Sequence, residues 1–209
     1  MLIQPRFTGV RISMSKKESI LKTAARLFAS QGFDATTTIQ LAREAGVTEP
    51  LIYYHFEGKA DLFTRIIHST FSEYFSRIDA LENNPASPFE QIQNLIELQY
   101  DIAQEMPDEV QLIASACPAR LIDSEDICAG NVQKYRRRLM DYLTRNISAG
   151  IESGDFKPIA VQETAVLILS LINGIVRYSG SNIDLDPGTN LRQAAVDFCR
   201  RSLMCDSVR

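Results

Sequence analysis

The feature that most constrains this chain is the segment TTTIQLAREAGVTEPLIYYHFEGKADLF, which runs from Thr36 to Phe63. Small residues surround Gly46 at its centre, so two short helices can cross there at a tight turn. Before the turn, Thr37-x-x-Gln40 predicts a capping box that opens a helix. After the turn, Thr48 followed by Pro50 predicts the start of another. The segment therefore predicts a helix-turn-helix.

Helical periodicity extends over nearly all of the remaining sequence, and no stretch shows the sustained alternation of a strand. Ser15-x-x-Glu18 predicts a capped first helix, and a longer helix is predicted to begin near Lys59. The predicted fold class is therefore all-α. A three-helix head over residues 15–60 is followed by a larger helical body over residues 61–209.

Charge is distributed unevenly between these two parts. The chain carries a net charge of −4, yet residues 1–60 hold eight Lys and Arg against five Asp and Glu. A mildly basic head on an acidic body is compatible with nucleic-acid binding by the head alone. Residues 1–14 are predicted to be an N-terminal extension, because Met14 followed by Ser15 would make a natural alternative start.

The cysteines and histidines do not form a metal-ligand pattern. The four cysteines occur singly: Cys117, Cys128, Cys199 and Cys205. His55 and His68 have no cysteine or carboxylate at ligand spacing. We therefore expect no metal and no cofactor, and reduced thiols in a cytoplasmic protein; a redox role for Cys117 and Cys128 is the alternative.

The second helix of the predicted motif carries side chains that suit a phosphate backbone. Tyr53, Tyr54 and His55 are predicted to project outward, while Ile52 and Phe56 face inward. Phenolic hydroxyls, imidazole and the free amides at helix N-termini all bond phosphate oxygens. In a helix-turn-helix, the first residues of this helix lie nearest the base edges. The segment therefore predicts a DNA-reading helix.

At these residues the chain resembles the DNA-binding head of the TetR family of transcriptional repressors. The matching elements are Phe33-x-x-Thr36-Thr37, Leu41-Ala42, Ala45-Gly46-Val47, Tyr53 to Phe56, and Lys59 to Leu62. The resemblance covers roughly residues 16–63. It implies a homodimer that binds a near-palindromic operator in double-stranded DNA and releases it when a small molecule enters the body.

Carried over position by position, the resemblance implies roles for individual residues. The implied phosphate contacts are Thr38, Tyr53, Tyr54, His55 and Lys59. The residues implied to lie over bases are Thr48, Glu49 and Pro50, and Thr37 would cap the helix that precedes the turn. Two positions depart from the family. Glu49 stands where many members carry Lys or Arg, and Ile39 stands where an arginine sometimes reaches a base, so Ile39 offers only apolar contact.

The body is predicted to enclose an effector pocket between its middle helices. Such pockets are mostly apolar with a few polar anchors. The candidate lining residues, whose spacing also fits plain core packing, are Phe71, Phe75, Gln99, Tyr100, Ile113, Cys117, Tyr135 and Met140. Their mixture predicts a moderately apolar organic molecule. The basic cluster Lys134, Arg136, Arg137 and Arg138 is predicted to be a solvated helix face; alternatively it pairs with the acidic body or senses an anionic ligand.

Two late helices are predicted to form the dimer interface. The apolar run over residues 165–176 is shorter than the roughly 20 residues of a membrane span. It predicts a helix buried on all sides. This helix and the last one are predicted to pack against a second copy of the chain; alternatively, both pack only within one chain. The predicted interface residues are Leu169, Ile172, Val176, Leu191, Ala195 and Phe198.

The function predicted from the sequence is a dimeric, ligand-responsive regulator of transcription that acts as a repressor. The sequence shows no nucleophile–base pair, metal cluster or phosphate-cradling glycine loop, so an enzyme is not expected. The alternative is a helical enzyme or small-molecule carrier that keeps the helix-turn-helix only as scaffold. A third hypothesis, a sequence-tolerant DNA-organising protein, fits poorly with the net acidity.

Overall fold

The computed structural model describes residues 14–114, 130–179 and 188–205, and the regular structure in these ranges is helical. The helices are α1 (Lys16–Gln31), α2 (Thr38–Ala45), α3 (Glu49–His55), α4 (Lys59–Glu82), α5 (Pro88–Glu105), α6 (Pro107–Ala114), α7 (Asn131–Glu152), α8 (Val161–Ser179) and α9 (Leu191–Leu203). The predicted all-α fold is confirmed. The predicted extension up to residue 13 lies outside the described residues, as do Cys117 and Cys128.

The chain divides into two compact units between Phe63 and Thr64. We call residues up to 63 the head and the rest the body. In the head, α1 opens with the predicted capping box: Ser15 accepts from the Glu18 amide, and the Glu18 carboxylate accepts from the Ser15 amide. This bonding lowers the pKa of the Glu18 carboxyl, chiefly through the hydrogen bond from the Ser15 backbone.

Three phenylalanines pack together in the core of the head. The rings of Phe28, Phe33 and Phe63 lie 5.3 to 6.0 Å apart in tilted or edge-on pairs. Such geometries suit the quadrupoles of aromatic rings. Together with the fully buried Leu41 and Ile52, they hold α1, α2 and α3 around one small core.

The body is built around α5, which packs against α7, α8 and α9. The fully buried residues of the body include Ile92 and Leu95 on α5 and Leu143 on α7. After α7 the chain turns tightly: a Cβ on Gly150 would lie 2.3 Å from the Phe156 ring, so only glycine fits there. None of the described helices is long and apolar enough to cross a membrane.

Candidate DNA-binding surface and effector cavity

The second helix of the head begins where the sequence predicts. The Thr37 hydroxyl accepts from the backbone amide of Gln40 at 3.2 Å, so the predicted cap is confirmed. The Gln40 side chain does not complete the predicted capping box. It exchanges two hydrogen bonds with the Gln31 side chain, at 2.8 and 3.1 Å, and thereby ties α2 to α1.

The turn between α2 and α3 has the conformation that its glycine predicts. Gly46 adopts φ 65° and ψ 38°, the left-handed region that residues with a Cβ avoid. The Val47 amide then donates to the Ala42 carbonyl at 2.9 Å and closes the turn. Thr48 occupies the N-cap position of α3, but its side chain makes no capping hydrogen bond. Its hydroxyl is therefore not used by the helix that it precedes.

The outer surface of α2 and α3 exposes large side chains. Ile39 is 68% exposed, Tyr53 55% and Tyr54 80%, whereas Ile52 and Phe56 are buried as predicted. Thr37, Thr48 and Pro50 are exposed as well, and Thr38, Glu49 and His55 are half-buried. The residues implied to contact DNA, apart from Lys59, thus lie on these two helices and their caps. We call them the α2–α3 surface.

A carboxylate occupies part of this surface. Glu49 Oε1 accepts from the Thr38 hydroxyl at 2.5 Å, and that hydroxyl also lies 3.4 Å from the Tyr53 hydroxyl. The contact joins the start of α2 to the start of α3. A threonine hydroxyl has one O–H donor, and that of Thr38 is used by Glu49. Thr38 therefore cannot donate to a phosphate without releasing the carboxylate. Glu49 therefore sets the hydrogen-bonding state of a neighbouring residue that was implied to contact DNA.

Lys59 has partners that the sequence did not predict. Its ammonium donates to the backbone carbonyls of Phe33 at 2.6 Å, Thr36 at 2.9 Å and Asp34 at 3.4 Å. It also lies 4.3 Å from the centroid of the Phe33 ring. A lysine ammonium has three N–H donors, so a phosphate would have to displace one of these carbonyls. In this structure Lys59 fastens the start of α4 to the α1–α2 connection.

The body contains a cavity of about 430 Å³ between its middle helices. Gln99, Ile113 and Tyr135, all predicted as ligand contacts, line it. The other lining residues are Tyr74, Val110, Ala114, Val132, Arg136, Leu139, Leu169, Asn173, Val176 and Arg177. The volume falls within the range of small-molecule sites.

A hydrogen-bonded pair of polar side chains lies in the wall of this cavity. The Tyr135 hydroxyl donates to Gln99 Oε1 at 2.6 Å. Gln99 Nε2 is buried and has no hydrogen-bond partner within the described part of the chain. The Tyr74 and Tyr135 rings stack at 4.9 Å, and burial raises the pKa of both phenols far above the usual value. Both phenols therefore stay protonated and neutral.

The remaining predicted ligand contacts lie elsewhere in the body. Phe71 and Phe75 line a second concavity of about 420 Å³, together with His68 and Lys134. Tyr100 and Met140 pack against the hydrophobic core instead. Cys117 lies outside the described residues. Sequence reasoning did not single out Tyr74 or Arg177; Tyr74 is one turn from Phe71 on the same helix, a spacing that could have identified it.

The predicted dimer residues divide between interior and surface. Leu169, Ile172 and Ala195 are buried in the core of their own chain. Val176 and Leu191 are half-buried, and Phe198 is 56% exposed. Two large apolar side chains are exposed on α8: Val166 is 52% exposed and Leu167 is 69% exposed. The outward face of α8 and α9 therefore centres on Val166, Leu167 and Phe198, and we call these residues the α8–α9 face.

The basic cluster on α7 does not act as one solvated face. Arg138 pairs with Asp79 and with Glu82 on α4, and hydrogen bonding to Glu82 is the main cause of its raised pKa. Lys134 lies over the Phe75 ring at 5.0 Å. Arg136 lines the cavity. Pairing with acidic residues is thus observed at Arg138, whereas the sensing of an anionic ligand stays a prediction.

Comparison with known proteins identifies a family match in the head. The family model described as "Bacterial regulatory proteins, tetR family" matches residues 20–66. The head therefore matches the TetR family. The match contains α2, the turn and α3, and therefore every residue of the α2–α3 surface.

Relatives and solved structures extend the likeness into the body. The HTH-type transcriptional repressor KstR2 of Mycobacterium tuberculosis is 26% identical over 151 residues, which are 69% of this chain and 70% of that protein. The Marinomonas nucleoid occlusion factor SlmA is 23% identical over 171 residues, 78% of this chain and 82% of its own. A solved structure of the ketosteroid transcriptional regulator KstR2 has a TM-score of 0.74 at 19% identity and covers 92% of this chain and 96% of that one. Because the identity is only 19%, this structural match supports the fold alone.

Proposed function

We propose that this TetR-family chain is a cytoplasmic, dimeric repressor that leaves a near-palindromic operator when a small organic molecule binds its body. One observation carries the proposal. The same chain has the exposed α2–α3 surface in its head and, in its body, a cavity whose Gln99 Nε2 has no hydrogen-bond partner among the described residues. A repressor controlled by a ligand needs both parts.

Recognition of DNA would combine positioning and reading. Tyr53, Tyr54 and His55 bond phosphates and set the register on the duplex. Thr48 and Pro50 at the start of α3 lie over the base edges, where Ile39 offers contact to a thymine methyl. Glu49, held by Thr38, accepts a hydrogen bond from a cytosine amine. Its carboxylate disfavours base pairs that present an acceptor atom at the same place.

Two copies of the chain would associate through the α8–α9 face. Val166, Leu167 and Phe198 leave apolar area in water that a second copy would cover. A two-fold dimer presents two heads to two half-sites, spaced by about one helical turn of roughly 34–36 Å or a multiple. We expect Leu167→Glu to produce monomers in sedimentation velocity, and the matched surface change Gln133→Glu on α7 to leave the dimer intact.

Release of the operator would follow from differential affinity. An effector that binds the body more tightly in the DNA-incompetent dimer shifts the population toward it, and the coupling is reciprocal. The effector therefore weakens operator binding by the same factor by which the operator weakens effector binding. Titrations of each in the presence of the other measure this factor.

The test is a fluorescence-anisotropy titration with DNA from upstream of the chain's own coding region. We expect saturable binding that weakens steeply with salt, because phosphate contacts release counterions. Replacing Tyr53 and Tyr54 together by phenylalanine should weaken binding, and the matched body change Tyr100→Phe should not. Absence of saturable binding at low salt would contradict the proposal. Equal affinity for random DNA would favour a DNA-organising role instead, and the similarity to a nucleoid occlusion factor makes this the second candidate.

A further inference from the structure

We infer that the ligand of the body cavity is an apolar organic acid that carries a carbonyl-type acceptor oxygen within its apolar part, received by the side-chain amide of Gln99. The inference rests on the proposed function, because it names the chemical class of that same effector. Three features of the cavity carry it: an unpartnered buried donor, an uncharged aromatic and aliphatic wall, and two arginines.

The donor is the strongest of the three features. Gln99 is only 7% exposed, and the oxygen of its amide is already engaged by the Tyr135 hydroxyl. Its Nε2 keeps two N–H donors without a partner among the described residues. A buried donor without a partner is costly, and a ligand oxygen placed against it removes that cost. The same chain provides a contrast in Gln91, also buried, whose Nε2 donates to the Asn84 carbonyl at 2.7 Å.

The wall defines the apolar part of the ligand. Tyr74 and Tyr135 stack on one another, and Leu139 and Leu169 complete an aliphatic lining. Because both phenols are neutral, this wall carries no charge that would attract an ion. It favours a hydrocarbon body that excludes water around the Gln99 amide.

The arginines define the sign of the charge. Arg136 on α7 and Arg177 on α8 both line the cavity and are exposed. Neither forms an ion pair within the described ranges, and none of the described residues that line this cavity is Asp or Glu. A carboxylate at the mouth would meet two guanidinium groups, which suit carboxylate geometry. A cationic ligand would be repelled.

The experiment compares matched probes by isothermal titration calorimetry on the full-length dimer. The probes are decanoate, a set of oxodecanoates that differ in the position of the ketone, and decyltrimethylammonium. At least one oxodecanoate should bind about threefold to tenfold more tightly than decanoate, as one extra hydrogen bond predicts. Decyltrimethylammonium should bind more weakly than decanoate.

Variants then assign the effect to residues. Gln99→Met keeps the side-chain volume without a hydrogen-bonding group, so the preference for the ketone should fall to about onefold. Gln91→Met is the matched control and should leave the preference unchanged. Arg136→Met and Arg177→Met should weaken decanoate binding, whereas Arg137→Met, on the same helix but away from the cavity lining, should not.

Several outcomes would overturn the inference. They are no ketone preference in the unaltered protein, a preference that survives Gln99→Met, tighter binding of the cation than of decanoate, and no binding of any anionic probe. If Gln99→Met does not fold, the probe series on the unaltered protein still decides. Operator binding is measured on the same preparation before any probe is added. DNA binding without ketone preference refutes only the ligand class, whereas absence of DNA binding in the probe-free protein refutes the proposed function.

Discussion

Replacing Lys59 by methionine separates a role in holding the head together from a role in gripping DNA. Methionine keeps most of the apolar stem and removes the ammonium that contacts three carbonyls and the Phe33 ring. Two of these hydrogen bonds are short, at 2.6 and 2.9 Å. A hydrogen bond to a charged group contributes about 1.5–3 kcal/mol. Because Lys59 is half-buried and water can replace part of this bonding, we expect a net loss of about 2 kcal/mol.

Hydrogen exchange measures this loss where it occurs. The expected change in local opening free energy corresponds to about thirtyfold faster exchange. It should appear in peptides that cover the α1–α2 connection and the start of α4, while peptides from α5 and α7 keep their rates. Lys22→Met removes an exposed charge from α1 and serves as the matched control. Its exchange should equal that of the unaltered chain.

DNA binding of the same two variants completes the test. A phosphate contact contributes about one unit to the slope of log affinity against log salt. Because the N–H donors of Lys59 are engaged within the head, Lys59→Met should weaken binding to all sequences and keep that slope. If the salt slope of Lys59→Met falls by about one and its hydrogen exchange is unchanged, Lys59 does not hold the head together. That result would support the phosphate contact that the family resemblance implies.

Three further predictions concern folding and thiol chemistry. Gly150→Ala should destabilise the body by about 1–3 kcal/mol, because the new Cβ overlaps the Phe156 ring; urea unfolding followed by circular dichroism measures this, and an unchanged midpoint would contradict it. Thr37→Ala should cost the head about 1 kcal/mol through the lost cap, seen as faster exchange in α2, whereas the same rates in both proteins would contradict a capping role. Burial raises the pKa of the Cys199 thiol to about 11, above its unfolded value, so its contribution to stability is present below about pH 9 and is lost as pH rises toward 11. A thiol reagent at neutral pH should therefore label Cys205 and not Cys199, and equal labelling of both would contradict this.

The sequence predicted the head well because its signals are local. The caps at Ser15 and Thr37 and the left-handed glycine at Gly46 each depend on residues a few positions away. The inward faces of Ile52 and Phe56 follow from helical spacing alone. Such signals can be read without knowing how the helices pack.

Contacts between distant parts of the chain were not predictable in the same way. Nothing near Gln40 indicates that its side chain would pair with Gln31 instead of its own helix start. Likewise, Lys59 reaches carbonyls about 25 positions earlier in the chain. The motif match implied a phosphate contact for Lys59 because it compares sequence positions and contains no information about how side chains pack.

In the body, helical spacing could not separate core from surface or from cavity. Leu169 and Ile172 have the spacing of an interface, yet they pack into the interior of their own chain. Gln99 and Tyr135 were identified as ligand contacts from residue type, and the structure brings them together at 2.6 Å. The sequence did not predict Arg177 as a lining residue of the cavity. Its place there depends on how α8 packs against the other helices, which no local pattern encodes.

We propose above all that this chain, whose head matches the TetR family, reads one particular operator as a dimer. Genomic fragments that the full-length protein retains at physiological salt should share a two-fold symmetric sequence. In a titration monitored by sedimentation, that sequence should bind two chains, or a multiple of two, at least about 1,000-fold more tightly than random DNA of the same length. Fragments without a common sequence, or one chain per site, would contradict the account.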